Sequence, residues 1–196
     1  MLLLAGCSAS PKRAEPNAAE IALFEARQTS LSRIDAWKLS GRLSIDDGSD
    51  GGSGRLQWTV AGPVYDLSFR GALGKGAWQL HIEPGMAELR KADGSVVLAD
   101  SAEQLVVSEL GWSIPVPALR WWVLGLTAPG PVRGLELDEM GRAERFEQFG
   151  WQVSYNRYDD ESGHDIPARL DATYDERRVK LAIASWQEQR HDETRP

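Results

Sequence analysis

The sequence predicts a single α+β domain, a curved antiparallel sheet with helices covering one side or mouth. Three observations predict it. Short segments in which apolar and polar residues alternate recur between residues 37 and 98 and again between 143 and 186, the pattern of strands with one buried face. Two other stretches switch to the three-and-four spacing of helices. No internal repeat and no compositional break divides the 196 residues, a length suited to one substantial core.

The elements follow in order. Residues 8–19 are rich in Ser, Pro, Ala and Asn and read as a tether. Ile21, Phe24, Gln28, Leu31 and Ile34 then place an amphipathic helix over about 18–33. From Trp37 the period becomes two: Trp37, Leu39, Gly41, Leu43 and Ile45 face one way, and Lys38, Ser40, Arg42 and Ser44 the other. Asp46 to Gly54 reads as a turn of Asp, Gly and Ser. Leu56-Trp58-Val60, Tyr65-Leu67-Phe69 and Trp78-Leu80-Ile82 continue the alternation, with a loop from Gly71 to Gly76. Strands at 86–91 and 95–98 flank Asp93-Gly94, a strong hairpin signal.

The pattern next turns helical. Asp100 or Ser101 can cap a helix over about 101–110 that Gly111 stops. Pro115-Val116-Pro117 reads as an extended corner, Ala118 to Leu124 as a second short helix presenting Leu119, Trp122 and Val123, and Thr127 to Arg133 as a loop. Strands resume at about 143–148, 151–158, 168–174 and 178–186, with Val179, Leu181 and Ile183 as one apolar stripe, and the charged tail from Gln187 is expected to be loose.

Composition excludes several functions. A net charge of −7 lacks the basic footprint that nucleic acid requires, and it disfavours attachment to an anionic membrane by overall charge. One cysteine, Cys7, permits neither an intrachain disulfide nor a thiolate metal cluster. His81, His164 and His191 share no metal-ligand spacing, and Asp159, Asp160, Glu161 and Asp165 lack the regular order of a calcium loop, so that segment reads as a solvated turn. There is no G-x-S-x-G elbow, and the glycines at 71–76 have no phosphate-loop spacing. The sequence therefore points away from an enzyme and implies no cofactor.

Two features remain. Leu4-Ala5-Gly6-Cys7 resembles the lipobox of bacterial lipoproteins, whose Cys is acylated and becomes the mature N-terminus. A full signal needs a basic start and about 7–15 apolar residues, so residues 1–6 read as the end of a longer one. Ser8 after the Cys, in place of Asp, favours the outer membrane by the same resemblance. The other feature is aromatic: Trp37, Trp58, Trp78, Trp122, Trp151 and Trp186 all fall on apolar stripes or at their ends. A small barrel's interior is either filled or holds one ligand, and the pattern leaves both open.

The ordered series Trp37 to Arg42, Trp58, Tyr65-Asp66-Leu67, Gly71-Ala72-Leu73-Gly74, Leu110-Gly111, Ile114-Pro115-Val116, Leu119-Arg120, Trp122 to Gly125, Gln148, Gly150-Trp151 to Tyr155, Ile166-Pro167 and Val179 to Trp186 resembles the LolB family. These are outer-membrane lipoprotein receptors of the bacterial lipoprotein-sorting pathway. The resemblance implies an incomplete antiparallel β-barrel with a helical lid over a hydrophobic cavity, spanning about residues 20–190 before a charged tail at 191–196. It implies lipidation at Cys7, a membrane-insertion loop at Leu73, and an acyl-chain cavity bordered by Trp58, Tyr65, Trp122, Trp151 and Trp37. The implied partners are a LolA-type periplasmic carrier, the acyl chains of cargo lipoproteins and outer-membrane phospholipid, met by a monomer on the periplasmic face. Rival readings are an anchored lipocalin-like binder of a free lipid or other ligand and a structural lipoprotein of an envelope assembly complex with a filled core.

Overall fold

The computed structural model describes residues 15–46, 48, 51–71, 76–111 and 114–189. Helix α1 (Ala18–Leu31) opens on Asn17, whose side chain accepts from the Ala19 and Glu20 amides while the Glu20 carboxylate accepts from the Asn17 amide. This reciprocal cap satisfies donors that an isolated helix end leaves bare. Phe24 and Leu31 are buried, but Ile21 of the expected stripe is 40% exposed. Its apolar face is thus narrower than its spacing suggests.

Strands β1 (Ala36–Asp46), β2 (Gly51–Ala61), β3 (Val64–Gly71), β4 (Trp78–Glu83), β5 (Met86–Lys91) and β6 (Val96–Ala99) form an antiparallel meander. Gly51–Gly54, expected in a turn, belongs to β2 and pairs with Leu43–Asp46. The β1–β2 ladder extends past the residues with an apolar signature because backbone pairing requires no side chain. Helix α2 (Ala102–Leu110) is capped by Ser101, whose hydroxyl accepts from the Gln104 amide at 3.3 Å. It ends at Gly111, whose φ of 73° is left-handed.

Helix α3 (Val116–Trp122) begins inside the expected extended corner. Pro117 lies in its first turn, where the missing amide costs nothing and the fixed φ favours the helix. The chain then forms β7 (Arg133–Leu137), β8 (Ala143–Gln148) and β9 (Trp151–Tyr155), followed by a small hairpin of β10 (Tyr158–Glu161) and β11 (His164–Pro167). Strands β12 (Arg169–Tyr174) and β13 (Arg177–Glu188) complete it. Strand β7 has no counterpart in the sequence pattern, and Asp159, Asp160, Glu161 and Asp165, expected in a solvated turn, lie in the paired strands β10 and β11, with the turn confined to the tip. That tip is a two-residue turn in which Ser162 and Gly163 have φ of 57° and 79°, the geometry that joins tightly paired strands. The tail expectation also shifts, since Gln187 and Glu188 pair with Lys38 and Trp37.

The eleven strands of the main sheet run β6-β5-β4-β3-β2-β1-β13-β12-β9-β8-β7, so among the described residues β6 and β7 are its two edges, each paired on one side. A sheet this long curls through its twist, and a bulge at Ala184 of β13, opposite Ser40 and Gly41 of β1, sharpens the bend. Gly41 is required there, because a Cβ would lie 2.5 Å from the Ala182 carbonyl oxygen. The bulge also changes the phase of β13. Val179 and Leu181 point inward on one side of it and Trp186 on the other, which leaves Ile183 half-buried rather than continuing the stripe. The architecture is the expected unclosed, strongly curved antiparallel sheet with helices against it.

Candidate functional site

The inner face of the sheet and the two short helices flank a partly open apolar cavity of about 60 Å³. Its roof is Val106 and Leu110 of α2, Ile114 between the helices, and Val116, Leu119 and Val123 from α3 and its C-terminus. Its floor comes from β1, β2, β3, β4, β12 and β13, with Trp58 and Trp78 the largest side chains. Every lining residue is apolar. Such a space favours hydrocarbon over water, which needs polar partners to enter. Pockets that hold a drug-sized ligand occupy about 300–1,000 Å³, so this cavity is narrow, little more than a seam between sheet and helices.

The fastenings of the roof are uneven. At the C-terminal end of α3, Gln148 of β8 is 1% exposed, one of few buried polar residues. Its Oε1 accepts from the Trp122 indole N–H at 3.0 Å and the Ala128 amide at 2.9 Å, and its Nε2 donates to the Ala128 carbonyl at 2.6 Å. The Tyr155 hydroxyl donates to the Trp122 carbonyl at 2.8 Å. Gln28 of α1 donates to the Thr127 carbonyl at 2.8 Å. Arg27 donates to the Leu124 carbonyl at 3.0 Å and also to the Asp165 carbonyl. Burial pushes the Arg27 guanidinium below its ordinary pKa, while its stacking against Tyr158, with Arg142 also over that ring, holds it in place.

The rest of the roof is tied at its rim. The Arg120 guanidinium of α3 donates to the Tyr65 hydroxyl of β3 at 2.9 Å and lies over its ring. Lys91 of β5 pairs with Glu109 of α2 at 2.5 Å. Both are surface ties, individually weak.

The expected site residues are distributed over this plan. Trp58 lies on the floor of the cavity; it is 3% exposed, and its indole nitrogen has no hydrogen-bond partner among the described residues. Tyr65 sits at the rim as the partner of Arg120. Trp37 lies beyond Trp58, edge-on to it at 5.2 Å and 6.4 Å from Trp186. Trp122 is the roof's anchor on Gln148. Trp151 packs against Tyr174 at 5.8 Å, away from the cavity lining. The structure therefore brings Trp58 and Tyr65 to the cavity and its edge, and sets Trp37, Trp122 and Trp151 in the surrounding core. Cys7 and Leu73 lie outside the described residues. The sequence shows Gln28, Arg120 and Gln148 but not their roles as fastenings, and gives no sign of Arg27, because an isolated polar residue carries no periodic signal of its partner.

On the outer face, His81 of β4 binds Asp66 of β3 at 2.7 Å. That hydrogen bond raises the His81 pKa above 6.5. The pair stabilises the fold fully below the unfolded value and ceases to do so as pH rises through the raised folded value. Asp66→Asn should therefore lower the urea midpoint at about pH 5.5 and leave it unchanged at about pH 8.5. An equal change at both pH values would show that the ion pair is not responsible. The effect is small because the imidazole is 38% exposed.

The outer-membrane lipoprotein LolB family model matches residues 35–186. The chain belongs to the LolB family. Outer-membrane lipoprotein LolB of Nitrosococcus oceani is 37% identical to it, with 95% of this chain and 93% of the relative covered. The LolB of Pseudomonas aeruginosa LESB58 is 36% identical, with 95% and 92% covered. Among solved structures, a LolA superfamily protein from Nitrosomonas europaea superposes with a TM-score of 0.57 at 8% identity, over 89% of this chain and 95% of the other. An outer membrane lipoprotein-sorting protein domain from Vibrio parahaemolyticus gives 0.56 at 9% identity, over 89% and 94%. The match to the LolB family thus covers the sheet and the helical roof together, and the fold is shared with proteins only 8% and 9% identical in sequence.

Proposed function

We infer that this LolB-family outer-membrane lipoprotein receptor takes the acyl chains of cargo lipoproteins beneath α2 and α3 and releases them into the bilayer. The observation that carries this reading is the all-apolar cavity, dry by composition and roofed by two short helices that are well anchored at one end. Acyl chains in water are costly at about 0.8 kcal/mol per methylene, so they must stay covered between carrier and membrane. Transfer needs no nucleotide if each successive site binds more strongly, and a step of about 1.4 kcal/mol gives a tenfold bias. Swinging the roof aside exposes its apolar underside at the moment the cargo's hydrocarbon replaces it, so the cost of opening is offset by the chains that enter. Acylation at Cys7 would hold the domain at the membrane through the 8–19 tether. The loop carrying Leu73 is the segment we assign to insertion.

The test is direct. A LolA-type carrier loaded with a lipoprotein is mixed with this protein, and the cargo is followed by separation of the two. Transfer to this chain is expected, as is uptake of a fluorescent fatty acid. Tyr65→Phe removes the hydrogen bond to Arg120 while keeping the ring beneath it, and should speed uptake by about tenfold, the lower end of what a hydrogen bond to a charged group is worth. If neither protein takes up the probe, the inner space is a packed core and the structural-lipoprotein reading replaces this one.

A further inference from the structure

We propose that the outer face of the sheet carries a binding strip for the phosphates of anionic phospholipid headgroups, set beside the 72–75 loop. The strip is visible only in the register. Arg169 of β12 pairs with Ala182 of β13, Ala182 with Arg42 of β1, Arg42 with Arg55 of β2, and Arg55 with Arg70 of β3. Directly opposed residues share a face, so four arginines stand in one row across five neighbouring strands. At about 4.8 Å per strand the row is roughly 19 Å long.

Like charges placed opposite one another destabilise a sheet, so packing does not account for the row. Arg42, Arg55, Arg70 and Arg169 are all exposed, and none makes an ion pair among the described residues, although Asp and Glu outnumber Lys and Arg by 29 to 22 in the chain. Nearby on the same sheet, Arg178 and Lys180 share Asp171. Arg42, Arg55, Arg70 and Arg90 also border an open groove of about 610 Å³ whose remaining lining includes Gln57, Ser68 and Gln79. Gly71 and Ala77, on either side of the 72–75 loop, border it too. A groove with guanidinium groups along its wall and amide and hydroxyl donors beside them fits phosphate oxygens, which arginine binds in a bidentate manner.

The net charge of −7 argues against nucleic acid as the occupant. It does not cancel the strip at a membrane, because charges more than about 8 Å away are largely screened at physiological ionic strength. The strip would lay the sheet's outer face against the headgroups. This rests on the reading that the protein works at a membrane, but not on the acyl cavity.

The experiment uses the full chain carrying Cys7→Ser, so that no lipid anchor contributes, and co-sedimentation with vesicles. Binding is expected to phosphatidylethanolamine vesicles containing about 30% phosphatidylglycerol, to fall with added salt, and to be weak without the anionic lipid. Each of Arg42→Gln, Arg55→Gln and Arg70→Gln should weaken it about fivefold, and the three together about a hundredfold. The triple variant should unfold at no lower urea concentration than its parent, since a repulsion has been removed, and should take up the fluorescent fatty acid unchanged. Equal binding by parent and triple variant, or equal binding to neutral and anionic vesicles, overturns the proposal. So does loss of carrier binding with vesicle binding intact, which would assign the strip to the carrier. Failure of fatty-acid uptake by the parent counts against the acyl cavity alone.

Discussion

Leu73→Glu is expected to abolish delivery of cargo into a bilayer while leaving uptake of acyl chains intact. Leu73 falls between Gly71 and Gly76, and of the described residues on either side, 69–71 and 76–78, only Trp78 lines the acyl cavity. If Leu73 enters the hydrocarbon region, a carboxylate in its place costs about 2.5–3.5 kcal/mol, which slows the insertion step on the order of a hundredfold. Receipt from the carrier should proceed at the parental rate, so the variant would accumulate as a loaded receptor. The measurement is cargo incorporation into vesicles alongside formation of the receptor–cargo complex. Parental insertion rates would remove the loop from the mechanism, and a parallel loss of uptake would mean that Leu73 belongs to the cavity instead.

Gln148→Ala should be the most damaging polar substitution in the fold. It removes three hydrogen bonds at once and leaves the Trp122 indole N–H, the Ala128 amide and the Ala128 carbonyl buried without partners. Each orphaned group costs about 1–3 kcal/mol, so the total is about 3 kcal/mol or more, roughly 6–12 °C in Tm for a chain of this size. Asn, one methylene shorter, should rescue little of it, because the Ala128 amide and carbonyl are fixed in the backbone and the Trp122 indole is fully buried, so neither partner can follow. Thermal melts with both variants check this. Loss of less than about 1 kcal/mol would show that water or a rearranged neighbour replaces the amide. Since the same bonds anchor the end of α3, the variant should also lose protection from hydrogen exchange in residues 122–128 before the sheet does.

Much of the fold was legible because its cause is local. Trp37 to Ile45 alternates because one side of a strand meets hydrocarbon and the other meets water, and that constraint acts on each residue in place. The Ser101 cap and the Gly111 stop are decided within a few residues, so their signals survive in the sequence. The features that were missed depend on something distant. Strand β7 has the weak burial pattern of an edge strand, held by a single neighbour, β8. Pro117 was read as extended although the same ring suits the first turn of a helix, and only the helix's packing chose between them.

The site divides along the same line. The sequence by itself determined that the chain presents a sheet with one oily face, several indoles on that face, two short helices able to cover it, one acylation-type cysteine and a glycine-flanked leucine. Tertiary structure alone decided which indole faces the cavity, that Trp122 instead fastens the roof through Gln148, and that Arg42, Arg55, Arg70 and Arg169 fall into one row. The physical reason is that periodicity records which side of its own strand a residue occupies, whereas register, bulges and the choice of neighbouring strand place residues far apart in the chain opposite one another. Sliding one strand by two residues would keep every apolar side chain inside and still dissolve the arginine row.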